Sequence, residues 1–303
     1  MSLFFASLRD LAPLRETSRF KDSSDGSRKG AKSREDAKGR REVEVASMRV
    51  RLLPSSAGRP SQFQSLTSFT VDDHLAIDAG SIGFAIAPDE IGSIHHFIIT
   101  HAHTDHTASL PIYVAEAFPL LESPLIVYGT AEVVSALREF VFNDRVWPNF
   151  EEIQLNNGSG PALEFRELQP RATVSIAGFD VTPIPVNHLV PTVGLLVASK
   201  EAVVLFTSDT YTTDEIWKAA SAATNLKAVF VDVSFPNEMG ELAEVSKHLT
   251  PELLAVELTK LDREVEVYAV HIKPTNRQEV MRQIAALGDP RVAIGEIDRE
   301  YVW

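Results

Sequence analysis

Short β-rich runs alternating with longer helical patterns predict a layered α/β fold, with sheets in the middle and helices outside. Two observations carry that reading. Apolar residues make up 44% of the 303-residue chain and mean hydropathy is close to zero, enough for a sizeable buried core. Several strand-like runs also follow one another before the first helical pattern, whereas helical patterns separate most of the later runs. The early strands lie too close together for crossover helices, which excludes a simple doubly wound sheet.

In chain order the expected strands are Arg49–Leu53, Leu66–Val71, His74–Asp78, His95–Thr100, Leu125–Tyr128, Ala162–Leu168, Phe179–Val186, Val193–Ala198, Ala202–Thr207, Ala228–Val233, Glu264–Val270 and Arg291–Ile294. They are rich in β-branched, aromatic and leucine side chains and many are flanked by turn formers. The expected helices are His106–Ala117, Ala131–Phe142, Thr213–Ala222, Pro251–Leu261 and Arg277–Leu287. Thr250-Pro251-Glu252 is a strong helix start, with Thr as N-cap, Pro at the first helical position and an acid in the first turn. Residues 1–47 differ from the rest: Ser, Gly and charges of both signs crowd together, with 11 basic and 8 acidic side chains. Such a segment cannot offset its ordering entropy by burial. It reads as a disordered extension or as sequence ahead of a true start at Met48, leaving residues 48–303 as one folded domain.

The composition excludes several classes of function. With no cysteine, a disulfide framework, a thiolate nucleophile and a Cys-ligated zinc site are impossible, so metal ligands must be His, Asp or Glu. Residues 48–303 carry 18 basic against 34 acidic side chains, which argues against a broad nucleic-acid footprint and for a small substrate. No apolar run approaches the roughly 18–20 residues needed to span a bilayer. A soluble, cytoplasmic protein without membrane partners is expected.

The chemistry concentrates in Thr100-His101-Ala102-His103-Thr104-Asp105-His106. Residues two apart in extended chain share a face, so His101 and His103 can grip one ion while the following turn redirects Asp105 and His106. Chance would place three His and one Asp in this pattern roughly once in two thousand such chains. Two ions need about three or four ligands each, so more are required downstream. His188, Asp209 and His271 each stand just past an apolar run, where different strands can converge on one rim. His101, His103 and His188 on one ion, Asp105, His106 and His271 on the other, and Asp209 bridging both would complete the set. Zinc suits such N/O ligation best, and manganese or iron would tolerate it. His74, His95 and His96 read as structural or solvated.

The His101–His106 pattern, the upstream Ile77-Asp78-Ala79-Gly80 turn and the ordered His188, Asp209 and His271 resemble the metallo-β-lactamase superfamily of metal-dependent hydrolases. The resemblance implies a four-layer αββα sandwich over residues 48–303, with the metals at one edge between two sheets. Asp78 then orders the turn and the ligands around it. The runs Asp232-Val233-Ser234-Phe235-Pro236-Asn237, Lys247-His248-Leu249-Thr250-Pro251 and His271-Ile272-Lys273 are similar to those of class II cyclic-nucleotide phosphodiesterases, although Thr104 stands where that family usually has Leu. Hydrolysis of cAMP or cGMP to the 5′-nucleotide is what this implies, in a superfamily where homodimers are common.

Two cations both acidify water and neutralise charge building on a phosphoryl group, which suits a phosphodiester. The leaving 3′-oxygen needs a proton, and His248, fixed by the helix start that follows it, is the candidate acid beside Asp105 and Asp209 in the catalytic set. The alternatives are a tRNA 3′-processing type of endonuclease and a lactone or thioester hydrolase, which share these ligands. A nucleotide-binding sensor without turnover is the non-enzymatic alternative. Trp147-Pro148-Asn149-Phe150 more often describes a core anchor than a wall for a base.

Overall fold

The computed structural model describes residues 47–55 and 64–303; the expected extension at 1–47 lies outside the described residues, Ser47 apart. Fourteen strands are described: β1 (Arg49–Leu52), β2 (Phe69–Val71), β3 (Leu75–Ile77), β4 (His96–Ile98), β5 (Leu125–Gly129), β6 (Leu163–Glu167), β7 (Val174–Ile176), β8 (Phe179–Pro185), β9 (Val193–Ala198), β10 (Val203–Phe206), β11 (Leu226–Asp232), β12 (Glu266–Val270), β13 (Val292–Ile294) and β14 (Glu300–Val302). They form two seven-stranded sheets, ordered β14-β1-β2-β3-β4-β5-β6 and β13-β12-β11-β10-β9-β8-β7. Both are mixed. Strands β3 to β6 run parallel, as do β10 to β13, and the remaining pairs are antiparallel.

The period-2 alternation of side chains sorts each strand between two cores. Ile98, Leu75 and Ile77 of one sheet meet Val204, Phe206, Phe230, Tyr268 and Val270 of the other in a shared inner core. Their neighbours in sequence face outward. Ala76, Phe97 and Val127 pack under α1 (Ile82–Ala85), α3 (Leu110–Ala117) and α4 (Ala131–Phe140). Leu205, Val229, Val267 and Ala269 pack under α5 (Glu215–Ala222), α7 (Pro251–Leu258) and α8 (Arg277–Ala286). The result is the αββα layering expected from sequence. Two shorter helices, α2 (Thr104–Thr107) and α6 (Gly240–Ser246), lie at the edge where the site forms.

The sequence reading needs five corrections. The single helix expected over His106–Ala117 is two, α2 and α3. Ser109 donates its backbone N–H and its hydroxyl to Ala79 O instead of continuing a helical ladder, and Pro111 restarts the helix at its N-terminus. Strands β7 and β14 and helices α1 and α6 were not expected. Each has seven residues or fewer, and β14 exists through its antiparallel pairing with β1, about 250 positions away. Among the described residues, no helix is long and apolar enough to cross a membrane.

Parallel strands deliver their C-terminal ends to one edge, and left-handed backbone there turns the chain sharply. Asp78, Ser208 and His271 have φ of 58°, 56° and 60°, conformations that non-glycine residues adopt uncommonly. Gly80 permits the closest approach: a Cβ there would lie 1.9 Å from Asp105 O and 2.7 Å from Thr67 N. Those backbone groups bond each other at 2.8 Å, while Ala79 N–H donates to His106 O at 2.7 Å. Gly80 thus lets the turn after β3 hold the Asp105-His106 backbone. Replacing Gly80 with Ala is expected to cost about 1–3 kcal/mol, read by denaturant melts; an unchanged midpoint would contradict this packing argument.

Candidate metal centre

Asp209, three residues beyond β10, lies at the centre of the edge with its carboxylate buried. Four imidazoles surround it. His106 Nε2 lies 3.3 Å from Oδ1 and His271 Nδ1 3.5 Å from the same oxygen; His101 Nε2 and His188 Nε2 lie 3.7 and 4.0 Å from Oδ2. His188 Nε2 also faces His103 Nδ1 at 3.1 Å. His271 Nε2 faces Asp105 Oδ2 at 3.2 Å and His106 Nε2 at 3.4 Å. The seven residues singled out in the sequence therefore meet in two sets that share Asp209: His101, His103 and His188, and Asp105, His106 and His271. Within each set, ligand-type atoms lie within 4.8 Å of one another.

Hydrogen bonds on the far side of each ring set its tautomer. His106 Nδ1 faces a carboxylate oxygen of Asp78 at 2.7 Å, so the ring donates there. His188 Nδ1 donates to the Lys247 carbonyl at 3.1 Å. Thr100 Oγ1 gives its proton to Asp78, at 2.9–3.0 Å, and so accepts from His101 Nδ1 at 3.1 Å. Ser234 Oγ donates to Asp232 Oδ1 at 2.7 Å and accepts from His271 Nδ1 at 3.0 Å. In the neutral rings, each of these four histidines then turns a bare Nε2 inward. The buried His101 Nε2 has no hydrogen-bond partner. Where the rings are neutral, bare nitrogens crowd the Asp209 and Asp105 carboxylates, and only a proton or a cation between them relieves that, so the cluster fits metal ions by its own chemistry.

Charge follows the same geometry. Burial holds His101, His103 and His188 below the ordinary imidazole range, with neighbouring imidazoles adding to the effect, so they stand neutral and ready to coordinate. Burial would likewise lower His271, but the Asp209 charge and hydrogen bonds to Asp105 and Asp232 push it up to about 9. His106 is raised despite its burial, by Asp209 and Asp78. Asp209 and Asp105 would rise with burial, yet the surrounding imidazoles, with Lys273 beside Asp105, hold both well below the usual carboxylate range.

His248 stands at the rim of this cluster, its ring centroid 5.1 Å from His188 and 5.4 Å from His271. The following helix fixes it as expected, with Thr250 Oγ1 accepting from Leu253 N–H at 3.4 Å. Its Nδ1 donates to Asp232 Oδ2 at 2.7 Å. Asp232, which burial alone would raise, is brought down to about 2 chiefly by the charge and hydrogen bond of His248. Sequence reasoning missed Asp232 as the partner of His248, although it ends an apolar run in the way Asp209 follows one. It also missed Gln64, whose Oε1 accepts from the left-handed His271 N–H at 2.7 Å across 207 positions, and the ion pair of Lys273 with Asp105 at 3.3 Å.

An αββα sandwich with a His/Asp cluster at one sheet edge defines a metallo-β-lactamase-fold protein. The comparisons agree. The fold is similar to that of unliganded yeast PDE1, with a TM-score of 0.70 at 15% identity over 84% of this chain and 98% of that one. It is also similar to the metallo-β-lactamase fold protein YhfI from Bacillus subtilis, with a TM-score of 0.66 at 14% identity over 85% and 99% of the two chains. A family model described as cAMP phosphodiesterases class-II matches residues 90–296. The chain belongs to this class-II family. It is 30% identical over 212 residues to a probable 3′,5′-cyclic-nucleotide phosphodiesterase of Yersinia pestis, covering 61% of this chain and 59% of that protein. It is 30% identical over 207 residues to a 3′,5′-cyclic-nucleotide phosphodiesterase of Aliivibrio fischeri, covering 59% of each. The matched regions span about three-fifths of the length of these relatives.

A metal held by His271 would have to displace the proton that this ring carries below about pH 9. The affinity for a divalent metal bound there, with zinc as the probe, is therefore expected to rise about tenfold per pH unit between pH 7 and 9 for that one proton, with proton uptake by buffer seen in calorimetry. The sign for metal-free stability is opposite. A raised folded pKa stabilises fully below the unfolded value near 6.5 and is lost as pH rises through about 9. Affinity independent of pH across that range would contradict the assignment.

Proposed function

We propose that this protein hydrolyses 3′,5′-cyclic nucleotides such as cAMP or cGMP to 5′-nucleotides with the help of two divalent cations. The reading is carried by one observation: two adjacent imidazole and carboxylate sets share Asp209, with the Asp232–His248 pair beside them. His101, His103 and His188 with Asp209 would hold one cation, and Asp105, His106 and His271 with Asp209 the other. The imidazole-rich set matches zinc best, while manganese or iron would be accepted. Bound there, the cations would supply a more acidic water and neutralise charge on the phosphoryl oxygens. Membership of the class-II family and the names of its relatives support the substrate.

The chain's own residues supply orientation and a proton. Asp78 and Thr100 keep the His106 and His101 rings in the tautomers that face inward, and Lys247 O does the same for His188. In-line cleavage leaves negative charge on the departing 3′-oxygen, which needs a proton from the side away from the nucleophile. His248 serves as that acid. Its Nδ1–H stays on Asp232, so Nε2 carries the transferable proton, and the ionised Asp232 stabilises the imidazolium. Ser234 ties this pair to His271, with its Oγ reaching Asp232 Oδ1, His248 Nδ1 and His271 O within 3.2 Å.

The test is the leaving group. His248→Ala is expected to lower kcat on cyclic nucleotides by about 10²–10⁴ with metal content retained. It should cost much less on an aryl phosphodiester, whose weakly basic phenolate departs without an acid. Asp232→Asn should reproduce the pattern more weakly. Equal losses on both substrates would remove His248 from the acid role, and no turnover of any cyclic nucleotide by the metal-loaded protein would remove the substrate.

A further inference from the structure

Lys273 is the only ammonium among the described residues that ion-pairs with the cluster. Its Nζ lies 3.3 Å from Asp105 Oδ2 and 3.4 Å from His271 Nε2. Its backbone is held: Lys273 N–H donates to Ser234 O at 3.3 Å, and the residue caps the turn Pro274–Asn276. The side chains of Lys273 and Asp105 remain 31% and 30% exposed, whereas His101, His106, Asp209 and His271 are buried. The ammonium therefore stands at the open side of the centre, where a substrate must arrive.

A cation held by Asp105 and His271 would take the negative partner that Lys273 now uses and leave a positive charge at that mouth. Like charges a few ångströms apart at a partly buried site repel, so the ammonium gains most from an anion lying across both. We propose that Lys273 is the phosphate-anchoring residue of the site: its Nζ donates to a non-bridging phosphoryl oxygen and selects anionic phosphodiesters over neutral esters on this scaffold. Lysine suits the task, as a compact point charge on a flexible stem. This inference rests on the phosphodiester reading of the site.

The experiment compares zinc-loaded wild type, Lys273→Met and Lys273→Arg, each with zinc content measured. The substrates are cAMP, an aryl phosphodiester and the matching neutral aryl phosphotriester, and inorganic phosphate binding is followed by calorimetry. Lys273→Met is expected to lower the diester-to-triester ratio of kcat/KM by about 10- to 100-fold, the range of a charge-assisted hydrogen bond. Phosphate affinity should fall by a similar factor at unchanged zinc content, and Lys273→Arg should recover most of both. Equal losses on diester and triester, unchanged phosphate affinity, or loss of zinc in Lys273→Met would each overturn the assignment. A wild type that cleaves the aryl diester but not cAMP would count against the cyclic-nucleotide reading alone, since both Lys273 readouts would still be scored.

Discussion

The structure turns on one buried carboxylate. Asp209 sits between two sheets with His101, His106, His188 and His271 around it, and an unpaired buried charge there would cost several kcal/mol. In the metal-free protein that cost is met by protons: His106 and His271 are raised and Asp209 is lowered. Divalent ions would replace those protons with stronger partners. The strained turns at Asp78, Ser208 and His271 make sense in that light, since each places a side chain that a relaxed strand end would aim elsewhere.

Support for this centre comes from residues that hold the rings without facing the middle of the cluster. Asp78 receives the N–H and hydroxyl of Thr100 as well as the His106 ring, so one carboxylate orients an imidazole from α2 and, through Thr100, a second from beyond the end of β4. Ser208 donates its hydroxyl to Thr100 Oγ1 at 2.7 Å, joining the turn after β10 in the second sheet to the same network. Buried polar groups connected in this way fix geometry more firmly than isolated contacts. The inner core of Phe69, Phe206 and Phe230, with rings 5.1–5.3 Å apart, keeps the sheets that carry the two halves in register beneath it.

The sequence made the positions of the clustered imidazoles and carboxylates readable because each followed a local rule. His101 to His106 are contiguous, and His188, Asp209 and His271 come one to three residues after β8, β10 and β12. The layering was readable from period-2 strands and helical spacing. What escaped detection depends on contacts between distant segments. Gln64 touches His271 across 207 positions, Lys273 acquires meaning only beside Asp105, and β14 is three residues long without its partner β1. Asp232 was within reach of the strand-end rule, but its bond to His248 spans 16 positions and a helix that was not expected.

The most direct test of the central claim is an anomalous diffraction map of crystals grown with zinc. Two peaks about 3.5–4 Å apart, one within bonding distance of His101, His103 and His188, the other of Asp105, His106 and His271, with Asp209 touching both, are expected. A single peak away from Asp209, or none at saturating zinc, would contradict the account.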